Sequence, residues 1–405
     1  MSKQNAEVIA DIVKSGIKEK SEKLGVELEY TLTYEDNSQV KYNDEFGQKW
    51  LMNALRDEYE NDILDEEGNL IGVAGKRDTL TLEPAGQFEL SAGPFVDVAD
   101  AYACFEHLIN RINALVNPHG IVLNALGYHP KCKAEDLKII PKVRYQLMNE
   151  YFQKFSQLGI RMMRGTGSTQ VSIDYHSVDD CLNKLRLAFC CSPIFALICD
   201  NTAIFEGKPR THKLMRTEVW EDCDKSRCGI VPGVLSSDFT LDDYAEYVLN
   251  APQMFETVNG VQKVSGRRLK DIFAEKTMSE AEAVAGMSQL FNDVRLKNFI
   301  EIRPADALPL KYAIAYVALI KGLFYGNNSL NKLSEIFKHV ETDEQYESAK
   351  QELMKFGYDA EIYGKSAQFY ADKLIEIARE GLCTADVEYL VPFEKLVAER
   401  KTLAD

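Results

Sequence analysis

Apolar and polar residues alternate with a period of two along several short segments, and this alternation predicts strands. The clearest segment is GVELEYTLTY at residues 25–34, and TQVSIDY at 169–175 repeats the pattern. Further predicted strands are 78–90 (broken at Pro84–Gly86, by a bulge), 121–126, 213–220 and 297–303. Helical periodicity predicts helices over 1–20, 45–60, 98–116, 142–158 and 177–199, and over nearly all of the chain after residue 308.

About six strands lie far apart in the sequence with helices between them, which predicts an α+β fold built on one mixed or antiparallel sheet. A regular βαβ alternation with a glycine-rich first turn is missing, and this argues against a Rossmann fold. We expect a catalytic domain over residues 1–325 and a helical C-terminal extension over 326–405 that packs on it.

The composition of the chain bears on which molecules the protein binds and on the cellular compartment in which it works. The net charge of −16 argues against nonspecific binding to nucleic acid. The N-terminal segment lacks the continuous apolar run of a secretory signal, and no segment reaches the roughly 18 apolar residues of a membrane span. The nine cysteines form no CxxC pair, and several lie in apolar runs. We therefore expect a cytoplasmic protein with mostly reduced, buried thiols, with a redox role left open for Cys223 and Cys228.

Charged residues at even spacing mark three of the predicted strand segments. They are Glu27 and Glu29, then Glu83 and Glu89 on either side of the Pro84–Gly86 break, then Glu301 and Arg303. Side chains two apart lie on the same face of a strand, and apolar residues fill the alternate positions. Carboxylates on an inner sheet face need a metal ion or a cation, and their oxygens suit Mg²⁺ or Mn²⁺. A solvated sheet face gives the same pattern, so both interpretations stay open.

Other common signatures add little. There is no GxxxxGK[ST] motif, so ATP would not bind through a P-loop, and there is no GxSxG elbow. The six histidines show no metal-ligand spacing. The segment RGTG at 164–167 fits a tight turn or a close approach to phosphate. The basic segment EGKPRTHKLMR at 206–216 fits an anion site or a solvated loop.

Several segments, taken in order, resemble the glutamate–cysteine ligase family, in the branch found in plants and in many bacteria. The most specific is TLTLEPAGQFELSAGP at 79–94. The others are GVELEY at 25–30, PKVRYQLMNEYF at 141–152, STQVSIDY at 168–175, FEGKP at 205–209, LMRTEVWEDCDKSRCG at 214–229 and VRLKNFIEIRPAD at 294–306. The resemblance covers about residues 20–325. It implies a mostly antiparallel sheet curled into a funnel, as in glutamine synthetase-like carboxylate–amine ligases.

The resemblance also implies roles for individual residues. The implied magnesium ligands are Glu27, Glu29, Glu83, Glu89 and Glu301, together with Gln170, which stands where a related branch has a metal-binding histidine. Arg303 would contact the transferring phosphoryl group, and Arg216 would hold glutamate or its phosphorylated intermediate. Lys208 and Arg227 are further candidates for substrate binding. Arg164 is another, but it stands one place before the arginine position of the family's MMxRT segment, so its role in the acceptor pocket is open.

The implied reaction joins the γ-carboxylate of glutamate to the α-amine of cysteine through a γ-glutamyl phosphate, the first step of glutathione biosynthesis. ATP would be the co-substrate and two or three Mg²⁺ ions the cofactors, with Mn²⁺ as a substitute. A ligase for another amine acceptor, a homologue that binds without turnover and an unrelated metal hydrolase are alternatives. We expect a monomer or homodimer with no nucleic-acid or membrane partner.

Overall fold

The computed structural model describes residues 2–156 and 158–405. Within these residues nine strands form one sheet, and every strand pairing in it is antiparallel. The strands are β1 (Leu24–Tyr34), β2 (Asn61–Leu64), β3 (Leu70–Ala74), β4 (Asp78–Leu82), β5 (Phe88–Phe95), β6 (Ile121–Asn124), β7 (Ser168–Ile173), β8 (Val294–Leu296) and β9 (Ile300–Asp306). Their spatial order is β8-β9-β7-β1-β5-β4-β3-β2, and β6 pairs with the last residues of β1.

Helices surround this sheet and make up most of the C-terminal quarter. They are α1 (Ser2–Ser15), α2 (Gln48–Leu55), α3 (Val98–Val116), α4 (Val143–Phe155), α5 (Gly159–Gly165), α6 (Val178–Ile198), α7 (Met215–Glu221), α8 (Leu241–Asn250), α9 (Leu269–Ile272), α10 (Glu280–Met287), α11 (Leu310–Tyr325), α12 (Ser329–Ile336), α13 (Asp343–Phe356), α14 (Ala367–Gly381) and α15 (Val387–Ala398). A separate hairpin pairs Phe255–Val258 with Val261–Val264. The expected division after residue 325 falls at the end of α11, which packs against α14 and α15.

The two faces of the sheet differ because side chains alternate along each strand. Val26 and Leu28 of β1, Leu90 of β5, Val171 of β7 and Ile302 of β9 are buried in one apolar core. Helices α3, α6 and α11 contact these strands and contribute to the same core. The opposite face carries the charged residues of the strands, so the fold leaves one polar face of the sheet for chemistry.

Helix α6 is the most apolar element of the core. In the described chain it has the length and composition of a membrane-crossing helix, with a mean hydropathy of 1.5 over 18 residues, and 83% of that window is buried inside the protein. The expectation that no segment reaches that length is therefore wrong. Such burial is typical of a core helix, and length and composition alone are weak evidence for a membrane span.

The predicted fold class is confirmed, although the sheet has nine strands and not about six. Strand β1 and helix α3 are found almost as predicted. The predicted helix 142–158 is observed as α4, and the predicted helix 1–20 as α1. Met1 and Gln157, which belong to those two predictions, lie outside the described residues.

Two predicted strands differ from the structure. Pro84–Gly86 is the turn of a hairpin and not a bulge, because Thr81 pairs with Glu89 and Leu82 with Phe88 across it. The predicted strand 213–220 is the helix α7, in which Met215 and Val219 are buried one turn apart. Apolar residues four apart satisfy a period of two as well as a helical period, so a short segment cannot distinguish them.

Candidate active site

Strand pairing brings the predicted acidic residues together on the polar face. Glu29 of β1 lies directly opposite Glu89 of β5, and Glu27 lies opposite Gln170 of β7. Glu301 of β9 lies opposite Ser172, the residue two places after Gln170. Strands β1, β5 and β9 therefore place their carboxylates on the same face of the sheet.

The middle of this face is held by hydrogen bonds between neighbouring strands. Glu29 Oε2 accepts a hydrogen bond from Ser168 Oγ at 2.8 Å, and Glu29 Oε1 accepts one from Gln170 Nε2 at 2.9 Å. The other amide atom of Gln170, Oε1, accepts a hydrogen bond from Arg303 Nη1. Gln170 thus connects a carboxylate to the predicted phosphoryl-contacting arginine.

Glu83 lies in the turn of the β4–β5 hairpin, at one end of the face. Its Oε1 accepts a hydrogen bond from the hydroxyl of Tyr145 in α4 at 3.1 Å. Glu89 Oε1 accepts one from Thr81 Oγ1 at 2.7 Å. Burial raises the pKa of Glu83, and the charge of Glu29 raises it further, so these glutamates lie close enough to repel one another.

The electrostatics of the face follow from this crowding. Burial raises the pKa of Glu89 to about 8, and the charges of Glu83 and Glu29 add to the effect. Burial also raises the pKa of Glu27, with further contributions from Glu89 and Glu301. Carboxylates that resist ionisation in this way have too few cations around them, and bound divalent cations would relieve the repulsion.

Glu301 is different because three cations surround it. It is fully buried and pairs with Arg295 Nε at 2.6 Å, with Lys297 Nζ at 3.2 Å and with Arg303 Nη1 at 3.0 Å. Burial alone would raise the pKa of Glu301, but these neighbouring positive charges hold it well below its usual range. Glu301 is therefore ionised, and it holds Arg303 in place at the edge of the acidic face.

Two residues of α7 bring unpaired donors to a small cavity beside Arg303. The cavity measures about 20 Å³, the room of one water molecule, and Arg216, Trp220 and Arg303 are among its lining residues. Arg216 is 5% exposed, its guanidinium lies 5.3 Å from the centre of the Trp220 ring, and its Nη1 donates to the carbonyl of Pro304 at 3.3 Å. Arg216 Nε and Trp220 Nε1 are buried without a hydrogen-bond partner among the described residues. Buried donors of this kind are suited to the oxygens of an anion, and a carboxylate would need the cavity to open beyond the room of one water molecule.

A second, larger cavity of about 350 Å³ opens where β1 begins. Its volume lies within the usual range for small-molecule sites. It includes Glu27 and the hydroxyls of Thr79, Ser91 and Ser172, and its basic lining residues are Lys18, Lys23, Lys76 and Arg77. Asp78 and Asp174 also line the cavity, and Lys18 and Lys76 already pair with Asp174 and Glu60. The positive charge for an anionic ligand would therefore come mainly from Lys23 and Arg77.

The acidic face fits a divalent metal ion in the chemistry of its side chains. Carboxylate and amide oxygens are the ligands that Mg²⁺ prefers, and the predicted ligands share one face. As the side chains stand, no three acidic, histidine or cysteine side chains within residues 2–156 and 158–405 converge on one point. Metal binding would therefore require the carboxylates to turn toward a common centre, away from partners such as Thr81 and Gln170.

The structure places three other candidates away from the acidic face. Arg164, at the end of α5, donates to the carbonyls of Ala134 and Leu137 and to Asn149 Oδ1, so it holds a loop against α4. Lys208 is exposed in a two-residue strand pair.

Arg227 is fully buried and its donors are used within the protein. It pairs with Asp224 at 2.7 Å and donates to the carbonyls of Gln289 and Pro252 and to the hydroxyl of Tyr151. These contacts join the segment after α7 to α4 and to the loop before the 255–264 hairpin. Arg227 therefore has a structural role in holding these segments together.

Sequence reasoning missed several residues that the fold brings to the site. Tyr145 lies within the segment 141–152, and Arg295 and Lys297 lie within 294–306, so each stood in a segment that carried the family resemblance. Trp220 also stood in such a segment, but its placement beside Arg216 depends on α7 being a helix, since residues four apart share a helical face.

Comparisons with known proteins identify the chain. It shares its fold with the solved glutamate–cysteine ligase from Francisella tularensis in complex with AMP (TM-score 0.57, 9% identity, 95% of this chain and 83% of that one). The family model described as glutamate-cysteine ligase family 2 matches residues 23–395. The chain therefore belongs to glutamate–cysteine ligase family 2.

Plant relatives agree with this membership. The chain is 29% identical over 342 residues to the chloroplastic glutamate–cysteine ligase B of Oryza sativa subsp. japonica, covering 82% of this chain and 68% of the relative. It is 29% identical over 340 residues to the chloroplastic enzyme of Arabidopsis thaliana, covering 82% and 65%. The predicted family and enzyme class are confirmed, and the assigned site residues stay predictions.

Proposed function

We propose that this protein joins the γ-carboxylate of glutamate to the α-amine of cysteine with ATP, as the first step of glutathione synthesis. The observation that carries the proposal is the acidic sheet face bordered by Arg303 and Arg216, in a chain that belongs to this ligase family. A carboxylate is a poor acyl donor, and an acidic, metal-binding face beside arginines suits its activation by phosphoryl transfer.

The 350 Å³ cavity next to Glu27 is the proposed nucleotide site. Lys23 and Arg77 would balance the charge of the phosphates, whereas Lys18 and Lys76 already pair with Asp174 and Glu60. The position of the cavity at the start of β1 would direct the terminal phosphate toward Glu301 and Arg303. Magnesium is the proposed metal. When bound, it would neutralise phosphate oxygens and lower the repulsion between two anionic reactants. The proposed ligands are Glu27, Glu29, Glu83, Glu89, Glu301 and Gln170. Of these, Glu301 would first have to leave an ion pair with Arg295, Lys297 or Arg303.

The arginines would act at successive points of the reaction. Arg216 and Trp220 would hold a carboxylate of glutamate through their unpaired N–H groups. The γ-carboxylate oxygen attacks the terminal phosphorus, ADP leaves, and Arg303 stabilises the charge that develops on the phosphoryl group. The amine nitrogen then attacks the acyl carbon, phosphate leaves and the nitrogen loses a proton.

Exchanging Trp220 for phenylalanine should test the carboxylate site with little disturbance. The variant keeps an aromatic ring next to the guanidinium groups of Arg216 and Arg303, and it removes an N–H that has no partner among the described residues. A hydrogen bond to a charged group contributes about 1.5–3 kcal/mol, so the KM for glutamate should rise roughly 10- to 100-fold. The KM for MgATP should change little. The matched control is Trp50→Phe, at the other tryptophan of the chain, which packs on Phe46 and His119. Equal KM values for glutamate in both variants would contradict the assignment.

The identity of the amine acceptor is tested by comparing cysteine with other amines. Purified protein with glutamate and MgATP should release phosphate with cysteine at a higher kcat/KM than with other amino acids and small amines, and the product should have the mass of γ-glutamylcysteine. Omitting glutamate should abolish phosphate release. Faster turnover with another amine would favour the alternative, a γ-glutamyl ligase for that acceptor.

Three of the predicted substrate-binding residues do not belong to the proposed site. Lys208, Arg164 and Arg227 are left out of the proposed substrate site, because Lys208 is exposed and the guanidinium groups of the two arginines are hydrogen-bonded within the protein.

A cytoplasmic location is in keeping with nine free cysteines, whereas the plant relatives are chloroplastic. A monomer or a homodimer is proposed as the working form.

A further inference from the structure

A lysine from the C-terminal helices reaches the small cavity beside Arg303. Lys350 of α13 is 3% exposed and lines the same cavity as Arg216, Trp220 and Arg303. Its Nζ forms ion pairs with Asp293 Oδ2 at 2.5 Å and with Glu221. Helix α13 lies within residues 23–395, which the family model matches, but it lies after the last of the sequence segments that resemble the family, so none of those segments contains this residue.

The two partners of Lys350 connect it to both proposed substrate arginines. Glu221 is the last residue of α7, the helix that carries Arg216 and Trp220. Asp293 precedes β8, and its carbonyl accepts a hydrogen bond from the backbone N–H of Arg303 at 3.0 Å. One ammonium group therefore connects the helix and the strand that bear the arginines.

The positive charge of Lys350 compensates the negative charge of the buried Asp293. The charges of Asp293 and Glu221 raise the pKa of Lys350 against the effect of burial, so it is a cation. Asp293 is buried close enough to Arg216 for that arginine's charge to act on it. Without Lys350, a buried carboxylate would be left uncompensated, and Arg216 is a cation that could compensate it. A guanidinium paired with Asp293 would be lost to an incoming carboxylate.

We propose that Lys350 is a positioning residue, which neutralises Asp293 and Glu221 so that Arg216 and Arg303 stay free to bind the anionic substrate. The C-terminal helices thereby complete the active site. The inference rests on the proposed function, since it assumes that Arg216 binds glutamate.

The test compares variants of the full chain in the ligation assay. Lys350→Met should raise the KM for glutamate by about tenfold or more and leave the KM for MgATP within about twofold, because the proposed nucleotide cavity does not include α13. Lys350→Arg, which keeps the charge, should recover most of the wild-type KM. The matched control is Lys355→Met, an exposed lysine of the same helix that pairs with Glu352.

A double variant separates charge from packing. Lys350→Met with Asp293→Asn removes the lysine together with the carboxylate that would compete for Arg216, so the KM for glutamate should fall back toward the wild-type value. A merely structural lysine would give the opposite result, since two buried changes would add. An unchanged KM in Lys350→Met, or a double variant worse than the single one, would overturn the inference while wild-type ligation upholds the proposed function. Wild-type protein without ligation would overturn both.

Discussion

Replacing Arg303 with alanine should lower kcat for ligation by about 100- to 1000-fold, the usual cost of losing one donor that stabilises charge in a transition state. Arg303 is 8% exposed, and its guanidinium touches both Gln170 and Glu301. No other arginine in the described chain pairs with both of these residues. The loss should appear in kcat and in kcat/KM together, since the interaction forms mainly as the phosphoryl group is transferred.

The fold should survive this substitution because Glu301 keeps two other cations, Arg295 and Lys297. Melting temperature and circular dichroism should therefore remain close to those of the wild type. Arg303→Lys keeps the charge without the planar fork and should recover part of the rate. Arg268→Ala, which removes an exposed arginine paired with Asp271, is the control for losing an arginine. Wild-type turnover in Arg303→Ala would falsify the role of this residue.

The sequence predicts much of the fold but not its register. Alternation along 25–34 and 169–175 is a local signal, and it correctly places Glu27 and Glu29 on one face. That Glu29 faces Glu89 depends on which strand β1 pairs with, and pairing is set by packing across the whole sheet. For the same reason the break at Pro84–Gly86 could be read as a bulge, since only the return of the chain makes it a hairpin turn.

The candidate site, too, depends on contacts between distant parts of the chain that local sequence patterns do not predict. Its acidic residues and Arg303 stand in segments with recognisable order, so the resemblance points to them. Lys350 has partners 129 and 57 residues away in the chain, and no local pattern can report such contacts. Trp220 stands in a recognised segment, yet the strand predicted there would have put it on the same face as Arg216 without bringing the two side chains together. One turn of the helix α7 does bring them together.

Neutralising one carboxylate of the acidic face should weaken catalysis and metal binding together. Glu89→Gln keeps the size of the side chain and its contact with Thr81, and it removes a charge opposite Glu29. The Mg²⁺ concentration needed for half-maximal turnover should rise by at least about 10- to 100-fold, since even residues behind the ligands have effects of this size. Glu66→Gln, at the exposed turn between β2 and β3, is the matched control.

In the absence of metal, Glu89→Gln should make the protein less sensitive to rising pH, although it weakens metal binding. Because the folded protein raises the pKa of Glu89 to about 8, ionising this group costs stability, and the free energy of unfolding should fall as the pH rises from about 5 to 8. Glu89→Gln cannot ionise, so metal-free protein should lose less stability over that range. Added Mg²⁺ should stabilise the wild type at pH 8 more than the variant, because the wild type offers one more anionic ligand. Thermal unfolding at both pH values, with and without Mg²⁺, measures these differences, and equal stabilisation of both proteins would remove Glu89 from the proposed metal site.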